Sequence, residues 1–193
     1  MLISQSQRNR QIRQEPSRGL SRAVRLTTAD TNITTADLFG DATARSKPVT
    51  FAFSLLRTGA AAGLIFDFGS ATRGGAAYLD SATLVVVAGA GSGDDGVALS
   101  IANALPLATH PVRFVVTINP GKGTIKVWQR GALIGQATSV NAGFGGAWTD
   151  TAAGAVGNVQ GAANSRVPGG SQIALANCQL VGGLDVYLRQ YVF

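Results

Sequence analysis

The segment HPVRFVVTINPGKGTIKVWQRGALIGQA, residues 110–137, alternates with a period of two from its first residues. Val112, Phe114, Val116 and Ile118 fall on one face, with Arg113, Val115 and Thr117 on the other, which is the pattern of a β-strand. Asn119-Pro120-Gly121-Lys122-Gly123 then reads as a turn, because Asn, Pro and Gly supply the dihedrals that reverse a chain. The return strand sets Ile125 and Val127 against Lys126 and Trp128, and Arg130-Gly131 turns the chain into ALIGQAT (132–138). On either side the same rhythm recurs. VTFAFSLL places Val49, Phe51, Phe53 and Leu55 on one face; LIFDF (64–68), ATLVVVA (82–88), VALSIA (97–102), QIALAN (172–177) and LDVYLRQYV (184–192) are further strands. Glycine-rich breaks separate them at Thr58–Gly63, Arg73-Gly74-Gly75, Gly91–Gly96 and Gly169-Gly170. Nine or more short strands with turns every eight to twelve residues predict an all-β protein, an antiparallel sandwich or barrel. The helical candidate is a single turn near Thr35–Phe39, capped by Thr34 or Thr35.

Two segments break the rhythm. Residues 139–171 are rich in small residues and poor in strand formers; a loop of that length carries function or packs on a neighbour. Residues 1–25 hold Arg8, Arg10, Arg13, Arg18, Arg22 and Arg25 against Glu15, a net +5 of the chain's +6. With few large apolar side chains, this segment does not offset its own ordering entropy and is expected as an extended arm. The expected organisation is therefore a basic arm at 1–25, a linker or first-strand region at 26–47, and a sandwich at 48–193.

Composition narrows the function. Charged residues are 13% of 193, about half the usual share, and the longest apolar run, Ala82–Gly91, is too short to cross a bilayer. The single Cys178 excludes an internal disulfide and any cysteine-rich metal site. Glycoside hydrolysis needs two placed carboxylates, and the lone glutamate is Glu15, in the arm. Asp67 reads either as a buried acid with a raised pKa or as a solvent-facing residue. His110, before Pro111, has no nucleophile beside it in a motif, so the chain reads as a non-enzyme. Asp94 and Asp95 share one Gly-Asp-Asp-Gly loop, a thin calcium candidate that a plain turn explains better. No other metal and no cofactor is expected.

The run 110–137 resembles the central hairpin of the concanavalin A-like lectin/glucanase superfamily, which includes laminin-G-like domains; there the return strand reads x-I-x-V-Y-x-N-G-x-L-I-G. Trp128 stands at the aromatic position, and Arg130-Gly131 replaces the Asn/Asp-Gly turn. LIFDFGSATRGGAAYLDSATLVVVAG (64–89) is similar to the preceding hairpins, and GGLDVYLRQYVF (182–193) to the closing strand. The resemblance implies two antiparallel sheets in a jelly roll and does not carry a ligand with it.

Two roles remain open. A charge-poor body behind a basic arm resembles structural proteins of tailed bacteriophages: capsid decoration or cement proteins, head fibres, or tail modules. In that case the six arginines anchor the protein to carboxylates on other virion proteins, the body packs against copies of itself, and the location is the virion. The alternative is a lectin-like adhesion module for host-surface glycans, using exposed aromatics; Trp128, Trp148 and Tyr78 are the candidate glycan or interface contacts, with Tyr187 and Tyr191 behind them. Nucleic acid is not the expected partner, because no aromatic interrupts the arm to stack on bases.

Overall fold

In the computed structural model, which describes residues 23–26, 48–69, 74–89, 96–140, 155–157 and 164–187, the runs VTFAFSLL and LIFDF belong to one strand. That strand, β2 (Val49–Gly69), follows β1 (Ala23–Leu26) and precedes β3 (Gly74–Asp80), β4 (Thr83–Gly89) and β5 (Gly96–Ile101). Next come β6 (Val112–Asn119), β7 (Thr124–Gln129), β8 (Ala132–Thr138), β9 (Ala155–Val156) and β10 (Ala176–Tyr187). The path runs β5-β4-β3-β2-β6-β7-β8, with β10 and β9 also on β2 and β1 on β10. Every pairing is antiparallel.

The length of β2 makes the sandwich. Its first part pairs with β6 on one side and β10 on the other; its last part pairs with β3 and β9. One strand thus serves two layers, β1-β10-β2-β6-β7-β8 and β9-β2-β3-β4-β5. Its own phenylalanines meet between them: Phe51 stacks on Phe66 with centroids 4.1 Å apart, and Phe53 meets Phe66 edge-on at 6.0 Å. Phe114 of β6 joins Phe53 at 5.8 Å. Around this aromatic centre pack Val49, Leu55, Ile65, Leu79, Leu84, Val86, Val116, Ile118, Ile125 and Val127. The alternation read at β2, β6 and β7 is the buried face of this core. At the far side β5 comes back against β8, so the sandwich is nearly a closed barrel.

The Thr58–Gly63 break lies inside β2, where small residues let the strand pass from one layer to the next. The third strand, GGAAYLD, went unread in the sequence because its start looks like a turn and its alanines carry no periodic signal. QIALAN is strand only from Ala176; a 3₁₀ turn at Gly169–Ser171 precedes it, and Ile173 holds the Leu64 amide at 3.0 Å. Within the expected 139–171 loop, β9 adds two residues to the sheet, and Val167 packs on the outer side of the second layer with Leu64, Ala76, Tyr78, Val85 and Val87. Strand β1 straddles the expected boundary between arm and linker, with Arg25 opposite Asp185 in β10. The turn expected at 35–39 lies outside the described residues.

Candidate functional site

Strand β7 presents Lys126 and Trp128 outward at alternate positions, and Arg130 follows in the turn. Its inward partners Ile125 and Val127 are wholly buried, so strand geometry fixes which side chains face out. The pairing register extends the face sideways. Val115 of β6 and Leu133 of β8 flank Trp128; Thr117 and Gln136 flank Lys126. Leu133 is opposite Trp128 because a register shift in β8 follows Val127, which keeps Leu133 outward and 50% exposed. Arg113 lies opposite Arg130, whose amide donates to the Arg113 carbonyl at 3.3 Å. Cross-strand neighbours of this kind have Cβ atoms about 5 Å apart, so the half-buried Trp128 lies on β7 between Lys126 and the turn that carries Arg130, with Arg113 on the neighbouring strand.

The inner border of this face is closed. Thr50 and Thr117 are buried and share a hydroxyl–hydroxyl hydrogen bond of 2.9 Å, and Ala52 and Val115 are buried beside them. The outer border is open: Arg113, Arg130, Leu133 and Gln136 are exposed. No acidic residue occurs between Gly96 and Val140, whereas Arg113, Lys122, Lys126 and Arg130 all do. Among the described acids, Asp67 is buried, Asp80 ends β3 in the other layer, and Asp185 faces Ala52 on β10. Among the described residues, this face therefore carries an excess of positive charge.

Ser54 pairs with Arg113, and two residues on Leu56 borders a cleft of about 430 Å³ with Arg57, Thr58, Leu107, Ala108 and Thr109. Arg57 is pinned there: Nε donates to the Gly59 carbonyl at 2.7 Å and Nη1 to the Leu105 carbonyl at 2.8 Å. His110, at the surface, has Nδ1 2.9 Å from the Thr109 hydroxyl.

Of the residues singled out in the sequence, Trp128 lies on this face. Tyr78 does not: it is 7% exposed in the cluster beneath Val167, and burial, with Asp80 adding to it, raises its hydroxyl pKa. The expectation of a surface contact is thus corrected, because the 164–175 segment covers β3 and β4. Trp148, Asp94, Asp95, Arg8, Arg10, Arg13, Arg18 and Arg22 lie outside the described residues, as does Tyr191. Among the described residues no group of three or more His, Cys, Asp or Glu gathers as a metal site. Arg113, Lys126 and Arg130 were missed as a set. Their signal was present in the alternating K-V-W-Q-R of residues 126–130 and in the absence of acids around it.

The fold has known counterparts. Ruminococcus gnavus IT-sialidase CBM40 matches 89% of this chain and 92% of its own, with a TM-score of 0.55 and 14% identity. The same protein bound to α2,3-sialyllactose matches with a TM-score of 0.54 and 12% identity. The leech intramolecular trans-sialidase matches 90% of this chain over 26% of its own, with a TM-score of 0.57 and 11% identity. The binding domain of botulinum neurotoxin DC in complex with SialylT matches 78% of this chain and 34% of its own, at 0.51 and 10%. No protein-family model and no curated sequence matches the chain. The chain shares the jelly-roll β-sandwich fold of these proteins.

Proposed function

We propose that the protein is a non-catalytic, lectin-like module that binds acidic glycans on the outer face of β6, β7 and β8. The observation that carries this reading is the placement of Trp128 between Lys126 and Arg130, with Arg113 on the neighbouring strand, where the described strands β6, β7 and β8 hold no acid. An indole offers a flat apolar surface for a sugar ring, and guanidinium groups pair with carboxylates through two parallel hydrogen bonds. The described sialyllactose and SialylT complexes of similarly folded proteins support the same ligand class. The virion role rests on the six arginines of the arm, of which only Arg25 lies among the described residues, and it stands second for that reason.

Calorimetric titration with α2,3-sialyllactose and with neutral lactose, with and without calcium, tests the reading. Sialyllactose is expected to bind and lactose to bind more weakly. Trp128→Ala and Arg113→Ala are each expected to weaken binding about tenfold or more, equivalent to about 1.4 kcal/mol, with the melting temperature followed as a control on folding. A wild-type protein that binds neither sugar, and stays blank across an acidic glycan array, overturns the proposal.

A further inference from the structure

We infer that the cleft between the middle of β2 and the β5–β6 connection binds a small monocarboxylate with a short apolar body, at a site separate from the outer face of β6, β7 and β8. The cleft is built beside a stretch of chain that is tied down. The Leu105 amide donates to the Ala82 carbonyl at 3.1 Å, and Gln129 Nε2 donates to the Ala104 carbonyl at 2.6 Å. Arg57 Nη1 donates to the Leu105 carbonyl at 2.8 Å. Beyond these bonds the chain runs without helix or strand to β6, with Pro106 and Pro111 limiting its backbone freedom. Leu107, Ala108 and Thr109 of this stretch line the cleft together with Leu56, Arg57 and Thr58 of β2. Its volume of about 430 Å³ is that of a small-molecule site.

Arg57 supplies the recognition. Its Nε donates to the Gly59 carbonyl at 2.7 Å and its Nη1 to Leu105, so neutral acceptors hold the half-buried guanidinium in place without meeting its charge. A guanidinium has donors to spare beyond two such bonds. No ion pair joins Arg57 to Asp67, Asp80 or Asp185, the acids among the described residues. A cation fixed in this way pairs best with a carboxylate, whose two oxygens match the guanidinium fork. The rest of the lining selects what that carboxylate is attached to. Leu56, Leu107 and Ala108 are apolar, and Leu107 is 64% exposed, a large apolar side chain left in water beside the cation. A short hydrocarbon chain takes that surface out of water, which neither an inorganic anion nor a hydroxyl-covered sugar ring does.

Full-length protein titrated with hexanoate, acetate and hexanol, followed by backbone-amide NMR, tests the inference. Hexanoate is expected to shift the Thr58 and Thr109 amides and to bind about tenfold or more tightly than acetate, which lacks the apolar body, or hexanol, which lacks the charge. Arg57→Gln is expected to weaken hexanoate about tenfold or more. Because Arg57 also holds Leu105, a second variant on an exposed side chain, Leu107→Glu, is expected to weaken it as much by repulsion while leaving the fold intact. Trp128→Ala is expected to leave hexanoate binding unchanged. Hexanol bound as tightly as hexanoate shows an apolar surface only, and acetate bound as tightly shows a bare surface cation; either overturns the inference. So do the absence of hexanoate binding, amide shifts confined to other parts of the chain, and binding that survives both cleft variants. Loss of sialyllactose binding in Leu107→Glu makes the cleft the glycan's own site and overturns the separation of the two. Failure of hexanoate alone leaves the glycan reading standing, because that reading is tested at Trp128 and Arg113.

Discussion

Asp67 is held between β3 and β9, opposite Ala76 and Ala155, where its carboxyl is 2% exposed. The backbone amides of Asn164 and Phe68 donate to it, yet Oδ1 has no hydrogen-bond partner. Burial outweighs the two amides and raises its pKa from 3.8 to about 7. Between those values the folded chain keeps a proton that the unfolded chain has lost. The contribution of Asp67 to stability is therefore greatest below about pH 4, falls as the pH rises to about 7, and levels off above. Asp67→Asn is expected to abolish this fall and to stabilise the protein at pH 8 by up to roughly 4 kcal/mol, with little effect at pH 3.5. Denaturant melts of both proteins at the two pH values check it; a variant less stable at pH 8 refutes the cost assigned to the carboxylate. Cys178 shifts in the same direction for the same cause. Burial pushes its thiol up to about 11 despite nearby Arg57, and the thiolate is the reactive species. Iodoacetamide at pH 7.5 is expected to modify it slowly in the folded protein and rapidly in urea; equal rates would contradict that burial.

The elements meet most closely where the segment before β10 crosses β2. Gly63 has φ +112°, and a Cβ built on it would lie 2.4 Å from the Ala174 carbonyl oxygen. Here the chain needs both a left-handed backbone and the absence of a side chain, so that Ile173 can accept from the Leu64 amide. Gly131, in the β7–β8 turn, has φ +87° but nothing within 4 Å of the position a Cβ would take. Gly131→Ala is expected to cost about 1 kcal/mol from backbone strain alone. Gly63→Ala adds a collision with backbone and is expected to cost about 3 kcal/mol or more. Urea unfolding of the two variants separates the effects; equal losses would mean that the 172–175 segment moves aside freely.

At the scale of the molecule, β2 ties the two layers into one cooperative unit. Phe51 and Phe53 from its first part, and Phe66 and Phe68 from its last, form a single aromatic cluster with Phe114. Loss of either layer exposes the same rings. Unfolding in urea is expected to follow one transition, with tryptophan fluorescence and far-ultraviolet circular dichroism coinciding. Phe66→Ala is expected to shift that transition by about 3–5 kcal/mol without splitting it. Two separated transitions would show the layers to be independent.

Local periodicity was enough to determine that this chain forms antiparallel strands, and which side chains of β6 and β7 point inward. Alternation is a property of neighbouring residues, and burial of Phe114, Val116, Ile125 and Val127 follows from it. The lone indole of that hairpin was legible for the same reason. What the pattern left open depended on contacts distant in sequence. Thr58–Gly63 read as a turn, yet the partners on either side, β10 and β3, keep it extended as β2 changes layers. Tyr78 read as a surface aromatic until residues nearly ninety positions later, around Val167, covered it. Asp67 was poised between burial and solvent, and the arrival of Asn164 decided it. Arg113 and Arg130 became a pair only through register, because seventeen residues of strand and turn bring them opposite one another. Short-range sterics fix the strand, whereas burial of a face and the meeting of charges depend on which strand lies alongside.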